Sequence, residues 1–302
     1  MGTYHIDEIE LATDIKNKVR ALAPEAMEYS EMSNYDTAFI CGLLRAFRPQ
    51  KIVELGVSSG GTTAIMLCCL QEMGYEYRMY SIDTLEYAYK YPDKAVGFVA
   101  TDVKSKLGVE THELIGGRSF PMCAEVIGGD IDFLVLDTTH SLPGEVLEFL
   151  AVYPFLKEGA VVCMHDLRFN LSGSRHAQSA ATNALFNSVV AEKYIGEDQK
   201  RSFGYPNIGA FIVGPETDAY ITNVFGVLTQ TWHRVPSEDD LAPYTQIIER
   251  SYGDEAQWIY RRAIELNREF DAIRQKGRVS ESVRSSLPVR AARKLKRLLT
   301  SR

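Results

Sequence analysis

Five short, nearly unbroken apolar runs constrain this chain more than any other feature. They are "KIVELG" (51–56), "RMYSID" (78–83), "THELIGG" (111–117), "IDFLVLD" (131–137) and "GAVVCMHD" (159–166). A strand that is apolar on both faces has to be covered on both, and the stretches between these runs have the length and spacing of covering helices. The spacing predicts helices over 61–73, near 95–107, over 120–127 and over 143–156, with two more at 5–22 and 35–47 ahead of the first strand. The expected fold class is α/β, a doubly wound and mostly parallel sheet. A further strand, "IGAFIVG" (208–214), follows the turn signal "GYPN" and a helix near 180–193.

Four segments follow from this pattern: N-terminal helices at 1–48, the α/β domain at 49–214, a helical appendage or subunit interface at 215–276, and a linker with a basic amphipathic helix at 277–302. The length of 302 residues suits one large domain with additions. No apolar run approaches the roughly 18 residues of a membrane span, and the N-terminus lacks the apolar stretch of a signal peptide. Five cysteines (Cys41, Cys68, Cys69, Cys123, Cys163) sit in apolar surroundings without C-x-x-C spacing, which points to buried thiols in a cytoplasmic protein. Eight of the basic residues lie between Arg278 and Arg302 against a single acid, Glu281, although the whole chain carries −7. The acidic body is expected to repel nucleic acid. The tail has the pattern of a helix that lies on an anionic membrane surface, packs on a second copy in a homo-oligomer, or stays disordered.

The loop "VELGVSSGGTT" places Glu54, Gly56, Ser58 and Gly60 at the first strand-to-helix junction. Glycines there allow a tight turn and close approach of a ligand to the backbone. The pattern E-x-G-x-x-x-G matches neither the dinucleotide G-x-G-x-x-G nor a P-loop, so pyrophosphate binding and a nicotinamide oxidoreductase are disfavoured. The next strand ends in Asp83, placed to accept hydrogen bonds from ribose hydroxyls.

Asp137 and Asp166 each end an apolar strand, and in an open α/β sheet both would face the crevice beyond the strands' carboxyl ends. Two converging carboxylates repel unless a cation lies between them, and a hard divalent ion such as Mg²⁺ prefers oxygen donors. His140, in D-x-x-H spacing from Asp137, is placed to take a proton from a substrate hydroxyl. Other readings stand beside these: Asp137 or Ser141 as a helix cap, His140 as an ordinary loop histidine, and His165 as a structural neighbour rather than a ligand.

"VELGVSSGGTT" followed by "YSID" resembles the binding motifs of class I S-adenosylmethionine-dependent methyltransferases, with the similarity running from about residue 33 to 213. The resemblance implies that family's seven-stranded fold. It also implies cofactor contacts at Glu54, Gly56, Ser58, Gly60, Asp83, Ser119 and Asp137. The D-x-x-H pattern is similar to metal-dependent O-methyltransferases of the mycinamicin and macrocin type and to the cephalosporin hydroxylase-like group. That likeness implies a divalent metal on Asp137 and Asp166, with His165 as a further ligand, His140 as the base, and a sugar hydroxyl of a glycan or small glycosylated metabolite as acceptor. His165 stands where the macrolide enzymes carry an acid, and Leu167 stands where catechol-type enzymes carry Asn. The third ligand position is therefore open: His165 binds through nitrogen, points away, or leaves water there. A catechol-directed enzyme and a silent adenosyl-binding scaffold are the competing functions. Arg168, Asn170, His176, Tyr205 and Asn207 are further candidate contacts, and Tyr87, Tyr89 and Tyr91 are either a stacking platform or a tyrosine-rich loop.

Overall fold

The computed structural model describes residues 9–24, 32–169, 180–196 and 206–274. Asn170, His176, Tyr205 and the basic segment at 277–302 lie outside the described residues.

Helices α1 (Ile9–Leu22) and α2 (Asn34–Phe47) precede strand β1 (Lys51–Leu55). Then come α3 (Gly61–Met73), β2 (Arg78–Asp83), a small hairpin of β3 (Tyr87–Ala88) and β4 (Tyr91–Ala95), α4 (Phe98–Leu107) and β5 (His112–Gly116). The chain continues through α5 (Phe120–Ile127), β6 (Ile131–Leu136), α6 (Gly144–Val152) and β7 (Leu156–Met164). After α7 (Ala181–Ser188) follow β8 (Glu192–Ile195) and β9 (Gly209–Ile212), and then α8 (Pro215–Ala219), α9 (Thr222–Val227), α10 (Glu238–Ser251) and a last helix, α11, over 254–274.

The main sheet has seven strands in the order β5-β2-β1-β6-β7-β9-β8. The contacts from β5 through β7 are parallel, and β9 runs antiparallel to both of its neighbours. This is the expected doubly wound architecture of the class I methyltransferase fold. Successive residues of one strand feed opposite cores, as the two-residue period of a strand requires. Val53, Leu134 and Val162 point into a core with α5, α6, α7 and α9–α11, whereas Ile52, Phe133 and Val161 join α1–α4 on the other face. All five cysteines are free and buried, in line with the expectation of reduced thiols.

Three elements depart from the pattern read in the sequence. The tyrosine-rich stretch after Asp83 forms the β3–β4 hairpin, with Tyr87 and Tyr89 exposed. The helix expected to run to 193 ends at Ser188, and Glu192–Ile195 supplies the seventh strand at the sheet edge. The helices beyond 215 share the main core: Phe225, Leu228, Trp232, Ile248 and Tyr260 pack in the same cluster as Phe149 of α6. Among the described residues no helix is long and apolar enough to cross a membrane.

Candidate active site

Register brings the site together. Leu55 of β1 pairs with Leu136 of β6, which pairs with Met164 of β7, so three strands end level. Connections leave β1 and β6 in opposite directions across the sheet, and such a switch point opens a crevice at the carboxyl ends. The Asp137 amide donates to the Leu55 carbonyl (3.0 Å) and the His165 amide to that of Leu136 (3.3 Å), extending the ladder one step beyond the strands.

Gly56 closes the seam between β1 and β6. Its φ is +88°, and a Cβ there would lie 1.9 Å from the Asp137 carbonyl oxygen. Ser58 (φ 52°) and Gly60 (φ 89°) continue the left-handed path of the loop. Asp83 fastens this loop: one carboxylate oxygen accepts from the Val57 and Ser58 amides and the other from Leu85, each at 2.9 Å. The acid assigned to ribose thus first shapes the turn. Glu54 is fully buried, and its Oε2 accepts from the hydroxyls of Thr63 and Ser81, both at 2.6 Å. Burial pushes its pKa up to about 7. Glu54 therefore ties β1 to α3 and β2 rather than facing the crevice. His112 is buried behind it, with Nε2 3.0 Å from Ser81 Oγ, and burial lowers its pKa to about 4. Ser119 is the N-terminal cap residue of α5 and makes no side-chain bond to that helix. The Tyr244 hydroxyl from α10 donates to Glu148 of α6 and also meets Ser119, so α10 contributes to this end of the crevice.

The acidic strand tips do converge. Asp137, His140 and Asp166 each offer a donor atom, all within 4.8 Å of one another. His140 Nε2 lies 3.5 Å from Asp137 Oδ1 and 3.3 Å from Asp166 Oδ2. His140 (φ 52°) and Asp166 (φ 57°) both adopt left-handed backbone that non-glycine residues rarely use, which bends each loop back over the crevice. The two carboxylates supply oxygen donors that suit a hard divalent cation, with the His140 imidazole beside them.

His165 sits below this cluster instead of in it. Its Nδ1 is 3.3 Å from Asp137 Oδ2, and its Nε2 is 3.7 Å from Asp36 Oδ2. Burial acts to lower its pKa, but the charge of Asp137, with hydrogen bonds to Asp137 and Asp36, raises it well above the usual imidazole value. As a hydrogen-bond donor to Asp137 and Asp36, the His165 ring holds both carboxylates in place. Asp137 answers in kind: burial would raise its pKa, and His165 with His140 brings it below the ordinary carboxylate value. Asn207 Nδ2 donates to Asp166 Oδ1 at 2.9 Å and lies 3.1 Å from His165 Nε2. Neither Asp137 nor Ser141 caps α6, whose first turn begins after Pro143.

Two participants were invisible in the sequence reading. Asp36 closes the capping box at the start of α2 with Ser33 and at the same time faces His165. Glu145, in the first turn of α6, is fully buried and lies beneath His140; its Oε2 accepts from Thr138 Oγ1 (2.7 Å) and from the His140 amide (3.1 Å). The capping box S-x-x-D was legible for Asp36, but no local signal says that a helix's first acid turns inward. Phe169 covers the outer side of His140, with ring centroids 5.1 Å apart, and Arg168 Nη1 is buried without a hydrogen-bond partner among the described residues.

Residues 53–167 match a family described as a methyltransferase domain, a span that includes the glycine loop, Asp83 and the whole acidic cluster. No curated protein sequence matches the chain. Similar solved structures include the O-methyltransferase TomG from Streptomyces achromogenes, involved in tomaymycin synthesis and bound to S-adenosylmethionine, at 16% identity and TM-score 0.44 over 70% of this chain and 93% of that one. An O-methyltransferase from Bacillus cereus with S-adenosylhomocysteine aligns at 13% identity and TM-score 0.44, covering 67% of this chain and 91% of its own. MycE, a methyltransferase of the mycinamycin biosynthetic pathway in complex with Mg and S-adenosylhomocysteine, aligns at 13% identity and TM-score 0.43, over 68% of this chain and 55% of its own. The domain match over 53–167, the strand order and the crevice at the switch point agree with one another: this part of the chain is similar to a methyltransferase domain on the class I methyltransferase fold.

Proposed function

We propose that the protein is an O-methyltransferase that uses a divalent cation, Mg²⁺ by donor preference, to methylate a sugar hydroxyl of a glycan or glycosylated metabolite. The observation that carries this reading is the meeting of Asp137, Asp166 and His140 within 4.8 Å at the crevice. In this reading Asp137 and Asp166 hold the ion, which supplies Lewis acidity toward a hydroxyl oxygen. His140 Nε2 accepts the hydroxyl proton as the oxygen attacks the cofactor's methyl carbon and the C–S bond breaks. Asn207 and His165 orient the two carboxylates from below. The exposed rings of Tyr87 and Tyr89, on the hairpin that follows Asp83, give a sugar face apolar surface to lie on.

Labelled-methyl transfer to a panel of glycosides and catechols, with and without EDTA, tests the reading. Turnover is expected with glycosides and should vanish when the chelator removes the ion. Asp166→Ala should abolish the metal stimulation while calorimetric affinity for S-adenosylmethionine stays near wild type. His140→Ala should cost about 10² to 10⁴-fold in rate. Wild-type rates in Asp166→Ala would remove the metal from the reaction, and transfer to catechols alone would replace the sugar acceptor.

A further inference from the structure

The geometry points to Glu145 as the positioning residue of His140: its carboxylate draws a proton onto Nδ1 and leaves the Nε2 lone pair facing Asp137 and Asp166. This inference rests on the reading of His140 as the base.

Both ring nitrogens of His140 face acids. On the Nε2 side lie Asp137 and Asp166, and on the Nδ1 side lies Glu145, with Oε2 3.9 Å from Nδ1. A neutral imidazole has one proton to place, and the stronger acceptor decides which nitrogen carries it. Carboxylates at Nε2 alone would hold that proton at the crevice and leave the base without a lone pair. A cation shared by Asp137 and Asp166 removes their pull, and Glu145 is then the acceptor that remains. Metal and tautomer are linked in this way.

The site is built for such a bond. His140 Nδ1 and Glu145 Oε1 are both buried and both lack a hydrogen-bond partner among the described residues. Each buried group left without a partner costs free energy, and a small rotation of the imidazole would shorten the 3.9 Å from Nδ1 to the Glu145 carboxylate. The carboxylate also holds the backbone to which the ring is attached. Its Oε2 accepts the His140 amide at 3.1 Å and the Thr138 hydroxyl at 2.7 Å, stabilising the left-handed turn at His140 (φ 52°). One acid on a rigid helix thereby sets the backbone, the ring and the proton.

NMR of the full-length protein with ¹⁵N-labelled histidine, with the ring neutral and Mg²⁺ present, reads the tautomer directly from ring couplings. The expected result is Nδ1–H in wild type and Nε2–H in Glu145→Gln. The glutamine oxygen can still serve Thr138 and the His140 amide, while its NH₂ offers a donor where the carboxylate offered only acceptors. Glu145→Gln should also lower kcat by about 10- to 100-fold with KM for S-adenosylmethionine unchanged. Thr138→Val, which loosens the loop but keeps the carboxylate, should retain Nδ1–H. An Nε2–H ring in wild type overturns the inference and settles it even if the variant does not fold. So does an unchanged tautomer in Glu145→Gln, or an equal change in Thr138→Val, which would reduce Glu145 to loop support. Because the tautomer is read without turnover, Nδ1–H in a protein that transfers no methyl group would count against the proposed reaction and leave this inference standing.

Discussion

Glu54 shows how one buried acid leaves a mark on stability. In the unfolded chain it loses its proton near 4.5, and in the folded protein burial holds that proton until about 7. Between these values the unfolded state binds fewer protons, so its contribution to stability falls as pH rises through the window and is constant above it. Glu54→Gln should therefore gain about 3 kcal/mol relative to wild type between the two ends of that window. Urea denaturation of both proteins at a series of pH values checks this, and parallel stability curves would contradict it. Gly56 acts through space rather than charge. Ala at that position would carry a Cβ 1.9 Å from the Asp137 carbonyl at a φ of +88°. We expect Gly56→Ala to destabilise by about 3 kcal/mol or more and to part the two strands that carry the site. A thermal melt within a degree or two of wild type would show that the seam can relax.

At the level of elements, one buried amide adds to the apolar packing that fastens α11 to the core. Asn267 is buried; its Oδ1 accepts the Trp232 amide at 2.7 Å, and its Nδ2 reaches the carbonyls of Gln230 (3.1 Å) and Ala263 (3.0 Å). Trp232, which this bond positions, donates its indole N–H to the Leu228 carbonyl and lies in the shared core. Asn267→Ala leaves the buried Trp232 amide without its partner, at a cost of about 1 to 3 kcal/mol. Chemical denaturation should report that loss together with faster amide exchange over α10 and α11; a change below about 0.5 kcal/mol, the range of neutral surface substitutions, would mean that the helix is held by apolar packing alone. Strands β3 and β8, of two and four residues, were not legible in the sequence: both are short and lack the apolar run that marks the equally short β9.

For the molecule as a whole, the helices beyond Gly214 complete one face of the sheet. Val224, Phe225, Leu228, Leu241, Ile248 and Tyr260 cover side chains of α6 and α7, including Phe149 and Phe186. Ending the chain at Gly214 would uncover that face, and the fragment is expected to aggregate; a soluble fragment with a cooperative melt would show that 215–276 is a true appendage. Continuous apolar runs make the sheet and its covering helices readable from the sequence, because burial on two sides demands them. The same alternation places Asp137 and Asp166 at strand tips, so their meeting was readable too. Three placements were decided by contacts between residues far apart in the chain. His165 faces Asp36 and Asp137 from below, Glu54 is drawn inward by Thr63 and Ser81, and Asp83, expected to face ribose, also binds the amides of the glycine loop. Local pattern specifies which face of an element is apolar. Where a polar side chain finds its partner depends on strand register and helix docking, and these exist only once the chain has folded.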